Sequence, residues 1–323
     1  MVRLVQVGLG RPRTPQDEAR RYRPIEMTFD ARHAMLTQEI GDDWEPAIQA
    51  QWRANQASVR MGLLAELGTV DGEAKIDHFT VLGNAPWSIV FEHNELLWQV
   101  RSAFAHGDFY PALVGACALG ERLLNELIGA LRGDFENHRS TTQRVRRGDP
   151  LRAWPDAVAV LLGWDVLTGD SAAAFTELGQ LRHRAVHFDD SLDVGDRDVA
   201  LSAVRLVQDA VGQVFSPLGG PPTFIAGTCG ASFFARDAEA IPLIKRVFLP
   251  RSALLSPAHR MHPQASPTGA EWVIVDDADY PAAALTDTDF AAALPAGIAS
   301  MHADLGWTAD ALAADPAGED LPA

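Results

Sequence analysis

The sequence predicts a mainly α-helical protein: a helical bundle preceded by a helical extension and followed by a small β-containing appendage. Three observations lead there. Apolar residues recur at three- and four-residue spacing over most of residues 44–215, the signature of one face of a 3.6-residue helix. Pro217-Leu218-Gly219-Gly220-Pro221-Pro222 then stops the pattern, because neither Pro nor Gly sustains a helix interior. Beyond it the apolar residues fall into short extended runs at 224–226, 244–249 and 271–276. The expected division is an N-terminal extension over 1–88, the bundle over 89–216, the appendage over 217–310 and a disordered acidic tail over 311–323.

Residues 1–30, rich in Arg and Pro, read as an irregular arm around a short strand at 2–7. Gly8-Leu9-Gly10 does not make a dinucleotide loop, since Arg13 stands at the third glycine position and Pro12 intrudes. Trp44, Ile48, Trp52, Val59, Leu63 and Leu67 predict one long amphipathic helix, ended by Gly68 and Asp71-Gly72. Residues 75–82, where Ile76, Phe79 and Val81 alternate loosely, predict a short strand or extended connector. The first bundle helix spans 89–104 on Leu96, Leu97, Val100 and Phe104, and Gly107-Asp108 breaks it. Pro111 suits the first turn of the second helix, which runs to Leu131 and is apolar on more than one side, hence central. A third helix over 153–167 carries Trp154, Val158, Leu161, Leu162 and Val166. Gly169-Asp170-Ser171 separates it from a fourth over 172–186, built on Phe175, Leu178, Leu181 and Val186. Asp193 or Asp196 caps a fifth, which bears Val199, Val204, Val207, Val211 and Phe215. Five helices with short links describe a bundle.

The net charge of −16 opposes a protein that coats nucleic acid by bulk attraction. From Asp276 onward there are ten acidic residues and no Lys or Arg. Between His138 and Arg152 the sign reverses, five arginines against Asp149, a basic loop suited equally to guiding an RNA backbone or to being a solvated connection. Two cysteines, a buried-looking Cys117 and a loop Cys229, suggest no disulfide framework. Residues 1–10 are too short for a signal peptide, and no apolar run approaches the length of a membrane span. A soluble, cytoplasmic protein with no membrane association is expected. His259-Arg260-Met261-His262 has a two-ligand spacing, but it lacks the Glu of a zincin helix and any third ligand, so no metal and no cofactor are expected.

The fourth bundle helix ends in Arg182-His183-Arg184-Ala185-Val186-His187. Basic residues in a last turn complement the helix dipole, so a simple charge cap accounts for them. The same residues also suit phosphodiester cleavage: Arg is charged at every physiological pH, and His transfers protons near neutrality. On an ideal helix positions 182 and 187 lie about 140° apart. They converge on one pocket only if the helix end frays or a second subunit completes the site.

Arg182 to His187 resembles the Arg-x4–6-His signature of HEPN domains, helical bundles that often act as RNA-cleaving toxins or defence effectors; His183 suits the position after the Arg. The stretch Ala103-Phe104-Ala105-His106-Gly107-Asp108-Phe109-Tyr110-Pro111 resembles the HEPN opening, and Glu121 stands where that family often has a polar residue of its second helix. The resemblance covers roughly residues 90–216. It implies a HEPN-like helical bundle that pairs as a homodimer and cuts single-stranded RNA without metal, by 2′-hydroxyl attack. Arg182 and His187 would be catalytic, with His183 and Glu121 supporting them. Arg144, Arg146, Arg147 and Arg184 would hold the RNA backbone. An antitoxin or defence-complex partner is implied as well. HEPN toxins silenced by nucleotidyltransferases usually continue His-x-Tyr, whereas Phe188 and Asp189 follow His187 here, which puts that route of silencing in doubt. The alternative to an enzyme is a non-catalytic HEPN-like dimerisation or sensor module of a defence or regulatory complex, which the net acidity favours.

Overall fold

The computed structural model describes residues 4–25, 30–148, 153–186, 197–216, 222–228, 233–266 and 269–294. The chain is mainly helical and divides into two units, one of residues 26–217 and one that joins residues 1–25 to 218–323. The later boundary of these units falls within the Pro/Gly run and the earlier one between residues 25 and 26, so that the helices over 32–81 group with the bundle and the first 25 residues with the C-terminal segment.

The helical unit comprises α1 (Arg32–Thr37), α2 (Pro46–Leu67), α3 (Gly72–Val81), α4 (Phe91–His106), α5 (Phe109–Leu131), α6 (Gln143–Arg147), α7 (Trp154–Gly163), α8 (Gly169–Val186) and α9 (Arg197–Phe215). Helix α5 is its hub, packed against α4, α7, α8 and α9. Eleven of its residues are buried, from Ala112 to Leu131, on a face broad enough to meet several neighbours, while Ala118, Arg122 and Glu126 stay exposed on the opposite side. Val204, Val207 and Val211 of α9, Phe175 and Leu178 of α8 and Phe104 of α4 are fully buried against this centre. The expected caps Asp193 and Asp196 lie outside the described residues.

Two expectations are corrected. Residues 75–82 are not extended: they form most of α3, because Ile76, Phe79 and Leu82 share one helical face and all three are buried. Ile76 and Phe79 join Leu63 and Leu67 of α2 and Ala105 of α4 in one cluster. Thr80, a weak helix former, is accommodated by donating its hydroxyl to the Ile76 carbonyl at 2.8 Å. Residues 244–249 are likewise not a strand: 244–248 form a π-helical turn and 249–251 a 3-10 turn, with Ile244, Val247 and Phe248 buried on one side.

The second unit holds β1 (Leu4–Gln6), β2 (Arg21–Pro24), β3 (Ser252–Leu255), β4 (Arg260–Ser266), β5 (Gly269–Asp277) and a last helix, α10 (Asp287–Ala293). β1-β5-β4 form one antiparallel sheet and β2-β3 another. Leu4 pairs with Asp277, and Arg21 with Leu255. The arm thus holds a second strand beyond the one expected, and Leu9 adds an isolated bridge to Ala253. Its arginines meet the acidic residues of the later segment: Arg20 Nε donates to Asp276 at 2.9 Å, Arg21 Nε to Asp287 at 2.7 Å, and Arg13 to Glu239. Arg21 is 1% exposed and also stands over the Phe290 ring at 5.5 Å.

Candidate active site at the end of the fourth bundle helix

Helix α8 runs antiparallel to α5, so its last turn lies beside the first turn of α5. Two glycines set how closely they approach. A Cβ on Gly120 would stand 2.6 Å from the Leu178 side chain and 2.9 Å from Trp154, and one on Gly179 would stand 2.7 Å from Trp154. The Trp154 indole fills the space these glycines leave and donates Nε1–H to the Phe175 carbonyl at 2.6 Å. Cys117 faces the same contact, and burial pushes its thiol up to about 12, against the opposing charge of Arg182. It is a packing residue with no thiolate chemistry near neutrality.

At this contact the structure brings together two of the predicted residues. Arg182 donates Nε–H to Glu121 Oε2 at 2.9 Å, and its terminal NH2 group reaches the same oxygen at 2.8 Å. The two side chains are 30% and 36% exposed, so the guanidinium is held by one edge while part of it meets solvent. One turn further on, the Tyr110 hydroxyl donates to the Ala185 carbonyl at 3.1 Å. That bond satisfies one of the orphan carbonyls at the end of α8 and ties it to the start of α5. Tyr110 lies within the HEPN-like opening stretch, and that resemblance gives it no role. Its signal was available: a tyrosine opening an apolar central helix needs a partner for its hydroxyl.

His183 is exposed and Arg184 half-buried on the last turn of α8. His187, the second expected catalytic residue, lies outside the described residues. Arg144, Arg146 and Arg147 are exposed on α6, a short helix capped by the Thr142 hydroxyl, which accepts from Val145 N–H. The predicted basic loop is thus partly helical. It follows the C-terminal end of α5, anchored by an Arg146 Nε–H bond to the Glu136 carbonyl at 3.0 Å. Between Glu121 and Leu131 α5 rises about 15 Å, so these arginines belong to the far end of the helix, away from Tyr110. Asp149 and Arg152 lie outside the described residues.

No family model, no curated protein and no solved structure matches the chain.

Two other groupings contain the residue types of a nucleophilic site. In the first, Ser88 and His93 Nδ1 are 3.1 Å apart and His93 Nε2 is 3.2 Å from Glu126. The hydrogen bond from His93, aided by Arg122, holds the Glu126 carboxyl below its ordinary range. Ser88 is fully buried and accepts the Val90 N–H in the turn just ahead of α4, so it meets no substrate. In the second, Ser256 donates to Asp276 at 2.6 Å, while His259 turns Nδ1 to the Ser256 carbonyl at 2.9 Å and Nε2 to Arg23 at 3.0 Å. The Ser256 hydroxyl faces the Asp276 carboxylate and not the His259 imidazole, so no Ser-His-Asp triad exists there. Burial, followed by the Arg23 charge, pushes His259 down to about 4. With both ring nitrogens engaged, His259 is no ready metal ligand; the His262 side chain lies outside the description. Among the described residues no three His, Cys, Asp or Glu side chains gather as a metal-holding group. Nor is any described helix long and apolar enough to cross a membrane.

Proposed function

We propose that the helical unit is a metal-independent endoribonuclease of HEPN type, cytoplasmic and acting in bacterial defence or toxin–antitoxin biology. One observation carries this reading: Arg182, at the end of α8 and immediately before the His-containing segment, is oriented by Glu121 yet keeps part of its guanidinium in solvent. A cation held in this way is pre-organised for a phosphate, since little side-chain freedom is lost when substrate arrives. His187 removes the proton of a ribose 2′-hydroxyl, whose oxygen attacks phosphorus. The P–O5′ bond breaks, the 5′ oxygen is protonated from a second histidine across a twofold axis, and a 2′,3′-cyclic phosphate remains. Arg182 steadies the charge on the phosphorane. Pairing of two chains answers the angular separation of positions 182 and 187, because each protomer supplies half of a shared cleft. Single-stranded RNA is the substrate, since a duplex holds its backbone away from in-line geometry. Arg184 grips the neighbouring phosphate, and the α6 arginines extend the track. His183 supports the site, and an antitoxin or defence-complex partner restrains it.

Incubation of the full chain with unstructured RNA tests this. Cleavage products ending in cyclic phosphate, unaffected by EDTA and lost in both Arg182→Ala and His187→Ala, are expected. The second reading, a non-catalytic dimerisation or sensor module, is favoured by the ion pair itself: a guanidinium already matched to a carboxylate is also a strut between helices, in a chain of charge −16. Absence of cleavage by a folded dimer, together with loss of dimer in Arg182→Ala, would select it.

A further inference from the structure

Between α1, residues 85 and 86 and α4, the helical unit encloses a cavity of about 480 Å³. This size lies within the range of small-molecule sites, about 300–1,000 Å³. Met35, Pro86, Phe91, Leu97 and Trp98 supply apolar walls. Phe91 and Trp98 stand two turns apart on one side of α4 and are 44% and 48% exposed. Two large aromatic rings left open beside a concavity offer stacking surface that the fold itself does not use.

The charges around the cavity are unequally satisfied. Arg32 is matched twice, by Asp30 at 2.9 Å and by Glu66. Arg101 is 4% exposed, and among the described residues no carboxylate contacts it. It donates only to neutral oxygens, Gln208 Oε1 and the Gly83 carbonyl, the latter at 2.9 Å. Its remaining contact is the Phe79 ring, 5.6 Å below the guanidinium. Burial accordingly lowers it to about 10. Glu95 also lines the cavity, but it is exposed and screened by solvent. Asp30 lines the cavity too and acts on Arg101 through space, but its carboxylate is hydrogen-bonded by Arg32; among the described residues Arg101 is thus the cavity cation with no carboxylate partner of its own.

We propose that this cavity binds a small aromatic monoanion, its ring between Phe91 and Trp98 and its anionic group on the Arg101 guanidinium. A guanidinium offers five N–H donors, and neutral acceptors leave its charge for a ligand to meet.

Two fluorescent probes with the same aromatic body separate the contributions: 1-anilinonaphthalene-8-sulfonate, an anion, and N-phenyl-1-naphthylamine, which is neutral. The full chain should bind one sulfonate per protomer, about tenfold or more tighter than the amine, as a charge-assisted contact implies. Arg101→Gln should bring the two affinities together. Ala85→Trp, which fills the cavity and leaves the bonds of Arg101 in place, should abolish both. Equal affinity of the unsubstituted chain for the two probes would overturn the proposal. So would undiminished binding by a folded Ala85→Trp chain, or tighter binding of a naphthyl trimethylammonium cation than of the sulfonate. Should Arg101→Gln lose its helical circular dichroism, the Ala85→Trp comparison and the probe pair decide the matter alone.

Discussion

Glu121 and Arg182 are joined by charge, but their pair is about one-third exposed, and exposed pairs contribute little to stability, about 0–1 kcal/mol. In the proposed nuclease the value of Glu121 lies in aiming the guanidinium. Glu121→Gln should therefore lower RNA cleavage about tenfold while changing the denaturation free energy by under ~1 kcal/mol. Parallel cleavage and urea-unfolding curves check this; equal cleavage by both proteins would remove Glu121 from the site. His259 titrates in the opposite sense to a salt-bridged imidazole. Its folded value of about 4 lies below the ordinary 6.5, so the unfolded chain takes up a proton first on acidification. Its contribution is complete above pH 6.5 and is lost as pH falls towards 4. Melting temperature measured across that interval should drop less steeply in His259→Asn than in the unsubstituted chain. At this scale the sequence was partly legible. Arg182 and Glu121 stand out through a motif, and they do meet. The Arg23–His259 contact joins residues 236 positions apart, and no local pattern encodes it.

Helices were legible where apolar spacing ran for three turns or more, as in α2, α4, α5, α7, α8 and α9. Short elements were not. In α3 the β-branched Thr80 and Val81 imitate a strand, and only contact with α2 and α4 decides for the helix. At 244–248 five residues are too few for periodicity to speak. The long α2 shows the converse limit: its pattern predicts an apolar face, yet only Leu63 and Leu67 are buried. Helix-to-helix distance is encoded by what is missing. A methyl group on Gly120 meets Leu178 and Trp154 well inside contact distance, and overpacking of this kind costs about 1–3 kcal/mol. Gly120→Ala should lose about that much stability in denaturant titrations. Gly129→Ala, which meets nothing within 4 Å in the same helix, should lose none and gain slightly from helix propensity.

The two units differ in how their chain is arranged. The helical unit is one continuous stretch, whereas the other is assembled from both ends of the sequence. A fragment of residues 26–217 should therefore fold alone, with cooperative unfolding and helical circular dichroism. A fragment of residues 218–323 should not, since it lacks β1 and β2 and the arginines that meet Asp276, Asp287 and Glu239. Adding a peptide of residues 1–25 should restore its structure, and failure to do so would show that the link through the helices is needed. This arrangement is hidden in the sequence because the paired charges lie far apart along the chain, as in Arg20 and Asp276. An Arg-rich beginning and an acid-rich end are individually ordinary, and only their pairing makes them architecture.

The pairing of Leu4 with Asp277 also orders events during synthesis. The first strand leaves the ribosome with no partner and waits while some 270 further residues are made, which at ~5–20 residues per second is at least ten seconds. In that interval the helices, whose contacts are closer in sequence, are free to form. Nascent chains therefore carry an unpaired β edge, and a chaperone that shields such edges would act on this protein before its last hundred residues emerge.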